Sequence, residues 1–182
     1  TVHDYWPGFK SVAVNVSMDG IEDSYEYIRG NAKWQSVVDN ISEIKKFTNI
    51  SRIVGACTVQ VSNIMVLDRI AEKFLNELEI VFHTHRVSFP KELCIQVLPK
   101  ELKKLAVGRM EEIKSRIGGF KLVMQHPKLY DYTIEQLNDN INFINAKDFS
   151  PLWKDCIEFN NRLDKTRNQS FLKTTPEFND YV

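Results

Sequence analysis

The first strongly patterned stretch of the chain is Val12 to Gly20, where alternating apolar and polar residues end in a short polar turn. Valines occupy positions 12, 14 and 16, and β-branched residues at a period of two favour a half-buried strand. The segment Ser17 to Gly20 interrupts this pattern. The sequence therefore predicts a strand over residues 11–17 that ends in a turn.

Two helices and two further strands are predicted by the periodicity that follows. Apolar residues recur at helical spacing within residues 33–47 and again within 64–78. The β-rich stretches 52–61 and 80–85 follow these helices, and Leu93 to Leu98 is a further short apolar strand or extended run. Helical crossovers of this length predict parallel, adjacent strands at 11–17, 52–61 and 80–85, with the two helices on one side of the sheet.

The remainder of the chain is predicted to be helical. Pro99 opens a helix that ends at Gly118-Gly119, which is the best candidate for a domain boundary. Thr133 and Gln136 have the spacing of a capping box, and Ser150-Pro151 starts a last helix. The pattern favours an α/β domain over residues 1–118, a helical extension over 119–182, and an irregular tail from Gln169 to the end.

Composition and charge narrow the classes of function. The chain has 24 basic and 24 acidic side chains, so no overall field favours nucleic acid or an anionic membrane as a partner. No apolar run approaches the length of a membrane span, and the start lacks the features of a signal peptide, which predicts a cytoplasmic protein. Cys57, Cys94 and Cys156 are too far apart for a local metal site or a disulfide framework. His83 and His85 would share one face of a strand, but no third metal ligand is signalled nearby.

The turn after the first strand is the best candidate for chemistry. Ser17 and Asp19 follow the carboxyl end of the strand, the edge at which α/β folds bind ligands, and the Asp19 carboxylate could accept hydrogen bonds from the hydroxyls of a ribose. The alternative is a capping box, in which Asp19 and Glu22 begin the next helix and no ligand is involved. Asn63 follows the second strand and could either reach the same ligand or cap a helix.

The stretch from Val16 to Ile41 resembles the radical S-adenosylmethionine (radical SAM) enzymes, particularly the twitch-type group. In that family the fourth barrel strand ends in a Ser-x-Asp-Gly segment, matched here by Ser17 to Gly20. A short helix with an arginine follows, matched by Tyr25 to Gly30, and then an aromatic-led helix, matched by Trp34 to Ile41. The resemblance implies that the chain is the second half of a (β/α) barrel with a helical C-terminal extension.

The resemblance also implies an activity and a set of ligand contacts. Ser17 and Asp19 would contact the ribose side of S-adenosylmethionine, and Arg29 would bind its carboxylate. The adenine contact would come from the apolar run that ends at Leu98. A [4Fe–4S] cluster would generate a 5′-deoxyadenosyl radical that acts on a peptide or small-molecule substrate.

The chain departs from the family in its iron ligands. It contains neither the C-x-x-x-C-x-x-C motif nor the Gly-Gly-Glu segment, and its extension has only Cys156 where a twitch domain carries several cysteines. The resemblance therefore implies that the cluster-binding half lies upstream and that this part alone is inactive. Two alternatives remain: a non-catalytic α/β binding or interaction module, and a hydrolase or transferase that uses Asp19 as an acid or base.

Overall fold

A small parallel sheet lies at the start of the fold. The computed structural model describes the backbone of residues 2–182 and the side chains from Asp4 onward. Its three strands are β1 (Val12–Ser17), β2 (Ile50–Val59) and β3 (Val81–Arg86), which pair in the order β1-β2-β3. Both pairings are parallel, so the predicted arrangement of these strands is confirmed. The protein is a mixed α/β structure in which helix predominates and the sheet is open.

Helical crossovers connect the strands, as parallel pairing requires. A short helix α1 (Val2–Tyr5) precedes β1, and α2 (Glu22–Arg29) and α3 (Trp34–Ile44) connect β1 to β2. Helix α4 (Leu67–Glu72) connects β2 to β3; a 3-10 turn precedes it, and a π-helical stretch from Lys73 to Glu77 follows. The predicted helix at 64–78 is therefore present, with three hydrogen-bonding patterns in sequence.

One face of the sheet is buried. In the strand register Val16 lies beside Gly55, and Gly55 lies beside Phe82, so these residues share a face. The rings of Phe74 and Phe82 pack edge to face, with their centroids 6.2 Å apart. The Phe74 ring lies so close to Gly55 that an added Cβ would overlap it. Glycine is therefore the residue that lets the π-helical stretch pack directly on the central strand.

The opposite face of the sheet remains open. It carries Asn15 and Ser17 on β1, Arg52 on β2 and His85 on β3, all of which are exposed. Polar side chains at alternating positions are what an uncovered sheet face requires. This second face therefore combines exposed polar groups with an apolar patch at Val54 and Val81.

The C-terminal part of the chain is helical throughout. The remaining helices are α5 (Lys100–Lys114), α6 (Lys121–Gln125), α7 (Lys128–Ala146), α8 (Trp153–Arg167) and α9 (Phe171–Thr174). Helix α7 covers the outer edge of β3, where the Gln136 side chain accepts a hydrogen bond from the Thr84 N–H at 2.9 Å. The buried apolar side chains on both sides of Gly118 form one continuous core. The boundary at residue 118 stays a prediction.

Three local predictions are wrong. The run from Leu93 to Leu98 contains 3-10 turns at Lys91–Leu93 and Ile95–Val97 rather than a strand. Thr133 does not begin a helix, because α7 starts at Lys128 and Thr133 is buried within it. The tail is not irregular, since α9 and a 3-10 helix bury Phe171 and Phe178, whose ring centroids are 5.5 Å apart.

Replacing Gly55 with alanine should destabilise the fold by about 1–3 kcal/mol, because the new methyl group overlaps the Phe74 ring. Urea unfolding would measure the change. Gly108→Ala is the matched control, since it lies in α5 with nothing within 4 Å of an added Cβ. That control should gain about 0.5–1 kcal/mol from helix propensity. Equal effects at the two positions would contradict the close packing on β2.

Candidate functional site

Asp19 lies at the carboxyl end of β1 and joins three elements. Its carboxylate is buried, with the residue 6% exposed. Oδ1 accepts a hydrogen bond from the Thr58 N–H at 2.7 Å, and Oδ2 forms an ion pair with Arg29 Nε at 2.7 Å. The carboxylate therefore links the end of β1 to the end of β2 and to the last turn of α2.

Helix α2 begins without help from Asp19. Ser24 Oγ accepts from the Ile21 N–H at 3.0 Å and donates to the Ile21 carbonyl at 2.6 Å, which fixes the first turn. Gly20 packs against this turn so closely that a Cβ would lie 2.7 Å from the Tyr25 nitrogen. The capping-box interpretation of Asp19 and Glu22 is therefore wrong. The tight turn also returns Arg29 to the strand end, as expected from the sequence.

Asn63 is fully buried, and its side chain hydrogen-bonds to the chain at the carboxyl edge of the sheet. Its Nδ2 donates to the Asp19 carbonyl at 2.7 Å and to the Thr58 carbonyl at 2.9 Å. Its Oδ1 accepts from the Gln60 N–H at 2.8 Å. The side chain makes no helix-capping hydrogen bond, so that alternative is wrong. With each polar atom bonded to the chain, Asn63 supports the edge rather than facing a ligand.

Of the other two residues predicted to contact the cofactor, Ser17 is exposed and Leu98 is buried. Ser17 is exposed on the open face, in the same register row as Ala56 and His83. Leu98 is completely buried in the apolar core. The structure thus brings Asp19 and Arg29 together, leaves Ser17 beside them on the surface, and places Leu98 within the core.

A histidine and tyrosine cluster lies on the open face beside these residues. The rings of His83 and His85 meet edge to face with centroids 4.5 Å apart, and His83 Nδ1 lies 2.5 Å from the Tyr132 hydroxyl. Burial, with a smaller contribution from His85, lowers the pKa of His83. Burial raises the pKa of Tyr132, and the positive charge of Arg52 opposes that rise. A neutral His83 can accept the tyrosine proton in a hydrogen bond.

Tyr132 was missed by sequence reasoning. It lies in α7, 49 residues from His83 in the chain, and no local pattern indicates their contact. The alternation of His83 and His85 along a predicted strand did indicate that the two rings share a face.

A cleft of about 1080 Å³ opens over the exposed face. The sheet forms its floor, and the segment from Leu122 to Tyr132 forms one wall. The Asp19 and Arg29 ion pair lies outside this lining, at the carboxyl edge. The cleft and the edge are therefore neighbouring but separate surfaces.

The cysteines do not contribute to either surface. Cys57, Cys94 and Cys156 are free and buried, and burial raises the pKa of each thiol, that of Cys156 to about 12. Within residues 4–182, no three side chains among His, Cys, Asp and Glu are grouped so that they could hold a metal ion. Among the helices described, none combines the length and apolar character needed to cross a bilayer.

Comparisons with known proteins found no relatives of this chain. No family model matches it, and no curated protein or solved structure is similar enough to match. The function proposed below therefore rests on the residues of the chain itself.

Replacing Asp19 with asparagine should lower the free energy of unfolding by about 1.5–3 kcal/mol, because charge-assisted bonds to Thr58 and Arg29 weaken. Loss of a helix cap would cost only about 1 kcal/mol. Asp23→Asn, in the exposed first turn of α2, is the matched control and should change stability by less than about 0.5 kcal/mol. Urea unfolding of both variants decides the matter, and similar values for the two would argue against the buried link.

Proposed function

We propose that the chain is the S-adenosylmethionine-binding half of a radical SAM enzyme, built as part of a (β/α) barrel with a helical extension. The observation that supports this most is the open face of the parallel sheet, with Ser17 and Arg29 at its carboxyl edge. In a barrel, helices cover the outside of the strands and ligands bind at the carboxyl end. A parallel sheet that buries one face and carries exposed polar residues on the other, with Arg29 at its carboxyl edge, agrees with that plan.

The residues at the edge fit parts of the cofactor. The Arg29 side chain is 35% exposed, and its ion pair with Asp19 is made through Nε at 2.7 Å. A guanidinium held at Nε can still bind a carboxylate through its outer nitrogens. The Ser17 hydroxyl, exposed on the adjoining face, can hydrogen-bond to a ribose.

Asp19 acts in this proposal by positioning Arg29. Both oxygens of the Asp19 carboxylate are bonded within the chain. In this proposal Ser17, rather than Asp19, therefore contacts the ribose of the cofactor directly. Asn63 supports the edge through its hydrogen bonds to the Asp19 and Thr58 carbonyls, and Leu98 is part of the apolar core. The same occupied carboxylate gives little support to a hydrolase or transferase that uses Asp19 as an acid or base.

The chemistry of such an enzyme comes from its cofactors. The cofactor, together with an iron–sulfur cluster bound outside this chain, would supply radical chemistry for removing a hydrogen from a substrate. This chain would hold and orient the cofactor and shape the surface for a peptide or small molecule. The cluster ligands would lie outside it, because the cysteine motif is not in the sequence.

A non-catalytic binding or interaction module is the second candidate. The observation that favours it is the internal pairing of Asp19 and Asn63, which would maintain the sheet edge without any cofactor. The two candidates differ in whether Arg29 binds S-adenosylmethionine.

Arg29→Gln should weaken S-adenosylmethionine binding by about tenfold or more, since one charge-assisted pair is lost. Isothermal titration calorimetry on the chain would measure it. Ser17→Ala should cause a smaller loss through one neutral hydrogen bond. Arg69→Gln is the control, because the ion pair of Arg69 is an exposed contact with Glu22 at 3.6 Å and involves neither Arg29 nor Ser17. Equal affinity in the wild type and all three variants would favour the interaction module.

Anaerobic reconstitution of the chain with iron and sulfide should give no stoichiometric cluster. Its three cysteines are buried and separated, whereas a four-iron cluster is held by cysteine thiolates close in space. Iron analysis and visible absorbance would measure the outcome. A four-iron absorbance at one cluster per chain would contradict this prediction and would point to a site shared between copies.

A further inference from the structure

The charges around the cleft are unequal. Its lining includes three permanent cations, on Lys45, Arg52 and Lys128, and one carboxylate, on Glu79. His83, His85 and His126 also line it, and their ring nitrogens can take part in hydrogen bonds. A concave surface with this balance attracts anions although the whole chain has no net charge.

Two of these charged groups already have partners. Lys45 Nζ donates to the Leu78 carbonyl at 2.5 Å, and Glu79 accepts from Gln125 Nε2 at 3.1 Å. Arg52 has no ion pair or side-chain hydrogen bond within residues 4–182. It projects from the central strand onto the open face, where the cleft lies, and it is the cation there with the most donors to offer.

The floor beside Arg52 is apolar. Val54 on β2 lies next to Val81 on β3 in the register, and both line the cleft with Leu122 and Leu129. Ala56 continues the floor between Ser17 and His83, and its small side chain leaves room above the sheet. A site with one strong cation and an apolar floor recognises a molecule with an anionic group and an apolar body.

We infer that this cleft binds a small organic anion, a carboxylate or phosphate ester with an apolar body. Arg52 takes the anionic group, the body lies over Val54 and Val81, and the His83 and Tyr132 pair offers further hydrogen bonds. The inference goes beyond the proposed function, because the cleft is separate from the Asp19 and Arg29 edge and needs no cofactor.

Phenyl phosphate and benzoate are suitable probes, because each joins an aromatic ring to an anionic group. Phenol, which has the ring without the anionic group, and inorganic phosphate, which has the anionic group without the ring, are the two controls. Isothermal titration calorimetry on the whole chain, without cofactor, should give saturable binding of at least one aryl anion, about tenfold or more tighter than either fragment. Failure of both aryl anions to saturate would overturn the inference. Tighter binding of inorganic phosphate alone would also overturn it.

Two variants locate the binding. Arg52→Gln should weaken the binding of the aryl anion by about tenfold or more. Arg162→Gln changes an exposed arginine on α8 and should leave the affinity unchanged. Ala56→Leu keeps every charge and fills the floor, so it should also abolish binding. Circular dichroism and thermal unfolding confirm that each variant is folded. Retained affinity in Arg52→Gln or in Ala56→Leu would overturn the assignment to this cleft.

Discussion

The buried carboxylate of Asp19 is the constraint on which the carboxyl edge of the sheet depends. The last backbone hydrogen bond between β1 and β2 runs from the Met18 N–H to the Ala56 carbonyl. Beyond it, the Thr58 N–H donates to the side-chain carboxylate of Asp19 instead of to a backbone carbonyl. A buried carboxylate needs a counter-charge and hydrogen-bond donors, since an unpaired one would be very costly. Arg29 supplies that counter-charge from α2. The position of the arginine thus follows from the need to satisfy the strand end.

Asn63 makes this arrangement rigid. It binds the carbonyls of Asp19 and Thr58 together, so the two strand ends cannot separate without leaving buried polar groups unpaired. Arg29, which is exposed at this edge, is held through its Nε by Asp19, a buried residue. A surface supported in this way is ordered before any ligand arrives.

The sequence predicted the sheet well because hydrophobic periodicity reports directly which residues are buried. The valines of β1 recur every second residue, and the apolar residues of the crossover helices recur at helical spacing. Because the connections are long enough to cross the sheet, the strands that they join are expected to be parallel, as they are. The role of Asp19 could not be read in the same way, because its spacing to Glu22 matches a capping box while the available N–H belongs to Thr58, 39 residues away. The same limit applies to Thr133, where α7 extends back to Lys128. Phe171 and Phe178 are buried by packing against each other and Tyr27, which no local pattern signals.

The two faces of the sheet differ in how much space they leave above the central strand β2. Gly55 packs against the Phe74 ring, which leaves no space for a side chain, whereas its neighbour Ala56 lines the cleft on the opposite face. Strands lie about 4.8 Å apart, so Ser17 and His83, on either side of Ala56, are about 10 Å apart. Ala56, which lies between them, belongs to the lining of the proposed anion cleft. Ser17 therefore lies next to the proposed anion cleft on the same open face, whereas the Asp19 and Arg29 ion pair lies outside the lining of that cleft.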